Sequence, residues 1–294
     1  MVTKILTTFS LIISLLLQNF FLLPAKPEEH VQMKAVLISD IHADADFTRD
    51  RTDLMREIFA AIGSTQNDAD TLVMAGDLTN SGDLLEYTNL QNCLNAYCRI
   101  SNRVPAFGNH DSWHHSDDPD FEKAESYFKD FCSWNGINTD KVYYTKCVNG
   151  IPFIVMGVEA GDFGDPYHSE EQLDWLEDEL TKYVSLGQPV FVICHKQIKN
   201  LGKSAARINR ILRLASMGAA APIVFVSGHN HAIGDNTYAK FGRRLVYLNL
   251  PSVEYTEDGG LGFVAEVYEH NVVLRGMNFL LNEPLPDYEY ILAY

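Results

Sequence analysis

The stretch Val104-Pro105-Ala106-Phe107-Gly108-Asn109-His110-Asp111 runs from apolar residues through a glycine into an amide, an imidazole and a carboxylate. A short apolar run bounded by glycine reads as a buried strand, and the polar residues lie where that strand ends. The same pattern recurs to either side. Residues 35–39 lead into Asp40-Ile41-His42, 71–75 into Gly76-Asp77, 190–194 into His195, and 223–227 into Gly228-His229-Asn230-His231. Residues 152–158 and 245–250 read as further strands.

Helical patterns fill the intervals. Residues 53–62 stop at Gly63, read as a C-cap, and Leu84, Leu85, Leu90, Cys93, Leu94 and Tyr97 make a helical stripe. Ser169 and Gln172 read as a capping box ahead of Leu173, Leu176 and Leu180, and a helix over 207–217 closes at Gly218. Strands alternating with helices predict an α/β fold, in which ligands sit beyond the carboxyl ends of the strands. Residues 262–279 read instead as consecutive strands turning near 269–271, expected to extend a second sheet.

The chain of 294 residues is 46% hydrophobic and 21% charged, enough for one substantial core. Its chemical motifs run from Asp40 to His231 without a repeat or a linker, which predicts one domain over 33–294. A formal charge of -16 argues against a protein that grips a nucleic-acid backbone through a basic face. It leaves a phosphate substrate open, because a bound divalent ion dominates the field of its own site. Lys4, the apolar run 5–23 and Leu23-Pro24-Ala25 read as a secretory signal peptide over residues 1–25, predicting a secreted or periplasmic protein. Polar residues interrupt the run, so no stable membrane span is expected unless the segment stays uncleaved. Translation from Met33 would instead leave the protein in the cytoplasm; the sequence admits both. In an exported chain Cys93 with Cys98 and Cys132 with Cys147 are conceivable disulfides, with Cys194 left over. The alternative is that all five cysteines are small buried hydrophobes.

The strand-end residues Asp40, His42, Asp77, Asn109, His195, His229 and His231 are carboxylates, imidazoles and one amide, donors that suit borderline divalent metals. Gly76, Gly108 and Gly228 are expected to turn the chain sharply and bring backbone close to a bound ion. Alternation along an extended segment is expected to put Asp40 and His42 on one side. Each motif alone is weak, since Gly-Asp usually marks a turn and a lone strand-end histidine is usually structural. Five such motifs in this order are specific.

The set Asp-x-His, Gly-Asp, Gly-Asn-His-Asp, His and Gly-His-x-His resembles the signature of the calcineurin-like metallophosphoesterase superfamily over essentially the whole chain after the signal. Residues 76–82 and the 169–180 helix further resemble its class III cyclic-nucleotide phosphodiesterase branch. The resemblance implies a four-layer α/β/β/α sandwich of two packed mixed sheets flanked by helices. It implies two divalent ions (Mn, Fe, Zn or Co): Asp40, His42 and His231 would hold the first, Asn109, His195 and His229 the second, and Asp77 would bridge them. It also implies hydrolysis of a small phosphate ester by water. In that reaction His110 would stabilise phosphoryl charge or protonate the leaving oxygen, and Asp111 would orient its neighbours. Asn80 stands where purple acid phosphatases carry a ligating tyrosine, which argues against a ferric centre. Lys196 replaces the second histidine of many relatives, so substrate preference does not transfer. His114 and His115 are candidate substrate contacts or else an exposed loop pair. Gly202-Lys203-Ser204 reads as a helix start, not a phosphate loop, and Asp44 with Asp46 fails as a calcium loop because of Arg49. A binding protein that has lost turnover is the alternative, and the complete ligand set argues against it.

Overall fold

Strand β1 (Met33–Ile38) is apolar at nearly every position and buried along almost all its length, the pattern of a strand covered on both faces. The structure, a computed structural model, describes residues 30–45, 50–112, 120–159, 167–233, 238–240, 244–254 and 259–294. The proposed signal segment 1–25, His114, His115, Asp46, Arg49 and much of the expected recognition loops 112–120 and 161–168 lie outside the described residues. Beside β1, β2 (Thr71–Met74) and β3 (Arg103–Pro105) pair in parallel, with Val36 opposite Leu72 and Val73 opposite Val104. On its other edge lies antiparallel β10 (Leu261–Val267), followed by β11 (Asn271–Asn278) and β12 (Glu283–Ala293). The C-terminal strands therefore join the sheet that carries the first three motifs, not the other sheet as expected, and β12 is an addition.

The second sheet has the order β4 (Tyr144–Val148), β5 (Ile151–Val155), β6 (Val190–Ile193), β7 (Ile223–Ser227), β9 (Leu245–Asn249) and β8 (Tyr238–Lys240). Its central strands β5, β6, β7 and β9 are parallel. Side-chain alternation splits its burial between two cores. Phe153, Phe191, Val224 and Val246 pack toward the first sheet, in one core with Val36 and Val73. Ile154, Val192, Phe225 and Tyr247 face the helices α4 (Glu170–Val184) and α5 (Ala205–Gly218), meeting Leu173, Leu176, Ile208 and Leu212. Helices α1 (Asp50–Thr65), α2 (Leu84–Tyr97) and α3 (Phe121–Trp134) contribute Phe59, Leu90 and Phe128 to the first core. Four layers result, and no described helix is long and apolar enough to cross a membrane.

Several local readings are corrected. α1 continues past Gly63 to Thr65, so this glycine is not a cap. A Cβ there would lie 2.1 Å from the Tyr97 carbonyl oxygen, so glycine is what lets α1 approach α2. Ser169 does cap α4 by accepting the Gln172 N–H, but the Gln172 side chain turns inward to Gly157 and Glu159. Glu159 takes the reciprocal place by accepting the Ser169 N–H. A full capping box forms instead at Asp83 and Glu86, ahead of α2. Gly218 is the last residue of α5, capped by Ala219. All five cysteines are free: Cys93, Cys98, Cys132 and Cys194 are buried and Cys147 is exposed, so neither conceivable disulfide forms. Gly202-Lys203-Ser204 is a 3₁₀ turn leading into α5, in keeping with its reading as a helix start.

Gly63→Ala and Gly218→Ala test this packing with opposite signs. Alanine normally favours a helix by up to about 1 kcal/mol over glycine. At Gly218, where nothing lies within 4 Å of the added Cβ, stability should hold or rise. At Gly63 the clash should lower it by ~1–3 kcal/mol in chemical denaturation.

Candidate metal centre

The five motifs leave the carboxyl ends of β1, β2, β3, β6 and β7, where the two sheets meet. Their backbones are unusual. Asp40 (φ 55°), His42 (48°), Asp77 (48°), His229 (72°) and His231 (58°) are all left-handed, among seven described non-glycine residues with positive φ. Each such residue costs roughly 1–2 kcal/mol. Asp40 and His42 therefore reach one site through left-handed turns and not through strand alternation.

Hydrogen bonds between loops hold these turns. The amides of Asp40, Ile41, His42 and Ala43 donate to the carbonyls of Gly76, Asp77, Asp77 and Leu78 at 2.9–3.0 Å, zipping the first two motifs together. The buried Asp111 carboxylate accepts from the amides of Leu78 (3.1 Å), Thr79 (2.9 Å) and Gly108 (2.8 Å) and from the Thr79 hydroxyl (2.7 Å). It thereby locks the second motif to the third, as expected of an orienting residue. The His110 amide donates to Asp77 Oδ1 at 2.9 Å. The glycines make room for side chains of the site, where closeness to an ion had been expected. A Cβ at Gly108 would lie 2.3 Å from Asp77 Oδ1, and one at Gly228 would lie 2.4 Å from Asp40 Oδ2.

These constraints bring the donors into adjoining groups. Asp40, His42 and His231 place their ligand atoms within 4.8 Å of one another, as do Asp77, His195 and His229. A third group joins Asp77 to His42 and His110, so Asp77 reaches both of the others. His231 Nε2 lies 3.2 Å from Asp40 Oδ1 and His195 Nε2 lies 2.9 Å from Asp77 Oδ2. Asn109 is 4% exposed, and neither polar atom of its amide has a hydrogen-bond partner among the described residues. A buried amide left unpaired costs about 1–3 kcal/mol, and an ion bound to its oxygen would offset that cost. The donor set and this orphaned amide fit a pair of divalent ions.

The electrostatics prepare the same groups for ligation. Burial opposes ionisation of Asp40 and Asp77, but His195 beside both, and His231 beside Asp40, more than offset it and hold both carboxyls below the usual range. Burial pushes His42 and His229 down to about 4, keeping them neutral. Burial also disfavours a charged His195, yet Asp77 and Asp40 raise it to about 9. Ionised carboxylates and neutral imidazoles are the forms that bind metal, so only the protons on the raised histidines must leave.

The contacts that support the donors lie outside the strand-end motifs. Ser252 donates its hydroxyl to the Asp40 carbonyl at 2.9 Å, Thr79 anchors Asp111, and the Asn80 carbonyl accepts from His110 Nδ1 at 2.8 Å. Buried Asn249 ends β9. Only Asn249 had a signal in the sequence, a polar residue closing an apolar strand.

Adjoining donor groups at the strand ends of a two-sheet sandwich define a metallophosphoesterase fold. Residues 33–233 match the family model described as calcineurin-like phosphoesterase, and the chain belongs to that family. No curated protein matches. Among solved structures, a dimetal phosphatase from Danio rerio is similar with a TM-score of 0.64 at 15% identity, over 90% of this chain and 100% of that one. A purple acid phosphatase from yellow lupin seeds gives 0.60 at 10% identity, over 92% of this chain and 55% of that one. GAP50, the anchor in the inner membrane complex of Plasmodium, gives 0.57 at 11% identity, over 90% and 89% of the two chains. At these identities the likeness is one of fold.

Asp77 and Asp40 raise His195 to about 9, and a His195 that ligated a metal would have to lose its proton, so metal affinity should strengthen as pH rises from 6 to 9. Each released proton corresponds to roughly tenfold per pH unit, and His231, also raised by Asp40, adds to the slope in the range where it is still protonated. Titration of Mn²⁺ across that range checks it, and a flat profile would contradict the charge state assigned to His195.

Proposed function

We propose that the protein hydrolyses a small phosphodiester at a centre of two divalent ions, with water as nucleophile and no covalent intermediate. The observation that carries this reading is the position of Asp77, whose carboxylate belongs with His42 on one side and with His195 and His229 on the other. Asp40, His42 and His231 would hold one ion, Asn109, His195 and His229 the other, and Asp77 has two oxygens to share between them. Held there, two such ions would supply the Lewis acidity needed to activate water and to orient the phosphate oxygens.

The remaining chemistry falls to His110. Its Nδ1 meets the Asn80 carbonyl at 2.8 Å; a carbonyl only accepts, so Nδ1 carries the hydrogen. With the amide of His110 also fixed on Asp77, the ring is held beside the ligands. In the imidazolium form Nε2–H would donate to the phosphoryl group or to the leaving oxygen. Asn80 in place of a ligating tyrosine supports a divalent pair over a ferric one. The likeness of residues 76–82 and the 169–180 helix to the class III cyclic-nucleotide branch supports diester over monoester substrates. The signal-like residues 1–25 support export, where availability would choose among manganese, iron, zinc and cobalt.

Hydrolysis of bis(p-nitrophenyl) phosphate and p-nitrophenyl phosphate by metal-stripped protein resupplied with Mn²⁺ tests the reading. Diester cleavage should appear only with metal, fall about 10²–10⁴-fold in His110→Ala, and vanish with metal binding in Asp77→Ala. Unchanged turnover in Asp77→Ala would overturn the assigned site, and two bound ions with no turnover would indicate a binding protein of this fold.

A further inference from the structure

The segment His229-Asn230-His231 serves both groups of donors: His231 stands with Asp40 and His42, and His229 with Asp77 and His195. Both histidines are left-handed, and strained residues persist only where their surroundings over-determine them. The carbonyls flanking this segment are held by side-chain amides. Asn249, 1% exposed, donates Nδ2 to the Ala232 carbonyl at 3.0 Å. Gln197, two residues after His195 and 5% exposed, donates Nε2 to Asn249 Oδ1 and, at 3.4 Å, to the Gly228 carbonyl. The Ser227 hydroxyl reaches Asn249 Oδ1 at 3.5 Å, and Asn200 Nδ2 reaches Asn230 Oδ1 at 3.4 Å.

This arrangement tolerates an unfavourable feature: Gln197 Oε1 is buried with no partner among the described residues. A buried acceptor left unpaired calls for an explanation. The explanation here is that the amide is turned to aim its donor at Gly228 and Asn249. A carboxylate in either place would set an acceptor against a carbonyl oxygen, so only a neutral donor serves.

We propose that Gln197 and Asn249 are positioning residues that clamp the two ends of the His229–His231 segment and so set the affinity of both metal positions together. The proposal rests on the two-ion reading above. It is tested on the full chain by calorimetric titration of Mn²⁺ into metal-stripped wild type, Asn249→Asp and Gln197→Met, with the thermal midpoint of each metal-free protein measured in parallel. Asn249→Asp keeps shape and removes the donor; Gln197→Met keeps bulk and lies outside any strand, so it carries the test if the first variant fails to fold. Wild type should bind two ions, and each folded variant should bind both about 10–100-fold more weakly, the usual effect of losing an outer-shell partner. A lowered metal-free midpoint with unchanged affinities would overturn the clamp and leave a purely structural role. Weakening at only one position would overturn the joint control. Wild type that binds no ion would overturn the two-ion reading and the clamp with it.

Discussion

Everything at this site depends on burying the Asp40 and Asp77 carboxylates close together where two sheets meet. Burial alone would favour their neutral forms, and Asp77 further raises Asp40. The compensation is a ring of histidines, with His195 between the two carboxylates, 2.9 Å from Asp77 and 3.9 Å from Asp40. Unlike charges in a buried place interact strongly but also lose their hydration, so such a cluster is stable only when every member has a partner. Divalent cations are the partners that this donor set suits.

The surrounding structure makes that cluster geometrically possible. Parallel strands deliver the motifs to one edge, and left-handed turns immediately beyond them redirect the side chains inward. Those turns are unfavourable one by one, and the loops offset the strain by hydrogen-bonding to each other more than to themselves. Asp111 binds the second loop to the third, the amides of residues 40–43 bind the first to the second, and Asp40 accepts the His229 amide to draw in the last. A rigid frame of this kind is what positioning of a nucleophile and a phosphorus centre requires.

Much of this was legible in the sequence because short apolar runs ending in polar residues report both a strand and what stands at its tip. The identities of Asp40, His42, Asp77, Asn109, His195, His229 and His231 follow from that pattern, and the structure brings six of them into the ligand groups. What was not legible depends on distant contacts. The role of Gly63 needs the Tyr97 carbonyl of another helix, and the inward turn of Gln172 needs Gly157 and Glu159. The placement of β10 beside β1 is a matter of pairing across more than 200 residues, and the left-handed turns at Asp40 and His42 are fixed by carbonyls from the neighbouring strand end.

The central claim is that one carboxylate, Asp77, is shared by two ions. Electron paramagnetic resonance of the protein loaded with two equivalents of Mn²⁺ addresses it most directly, because two ions that shared a ligand would be magnetically coupled. The account predicts the spectrum of a coupled pair. Two independent mononuclear signals, or saturation at a single ion per chain, would contradict it.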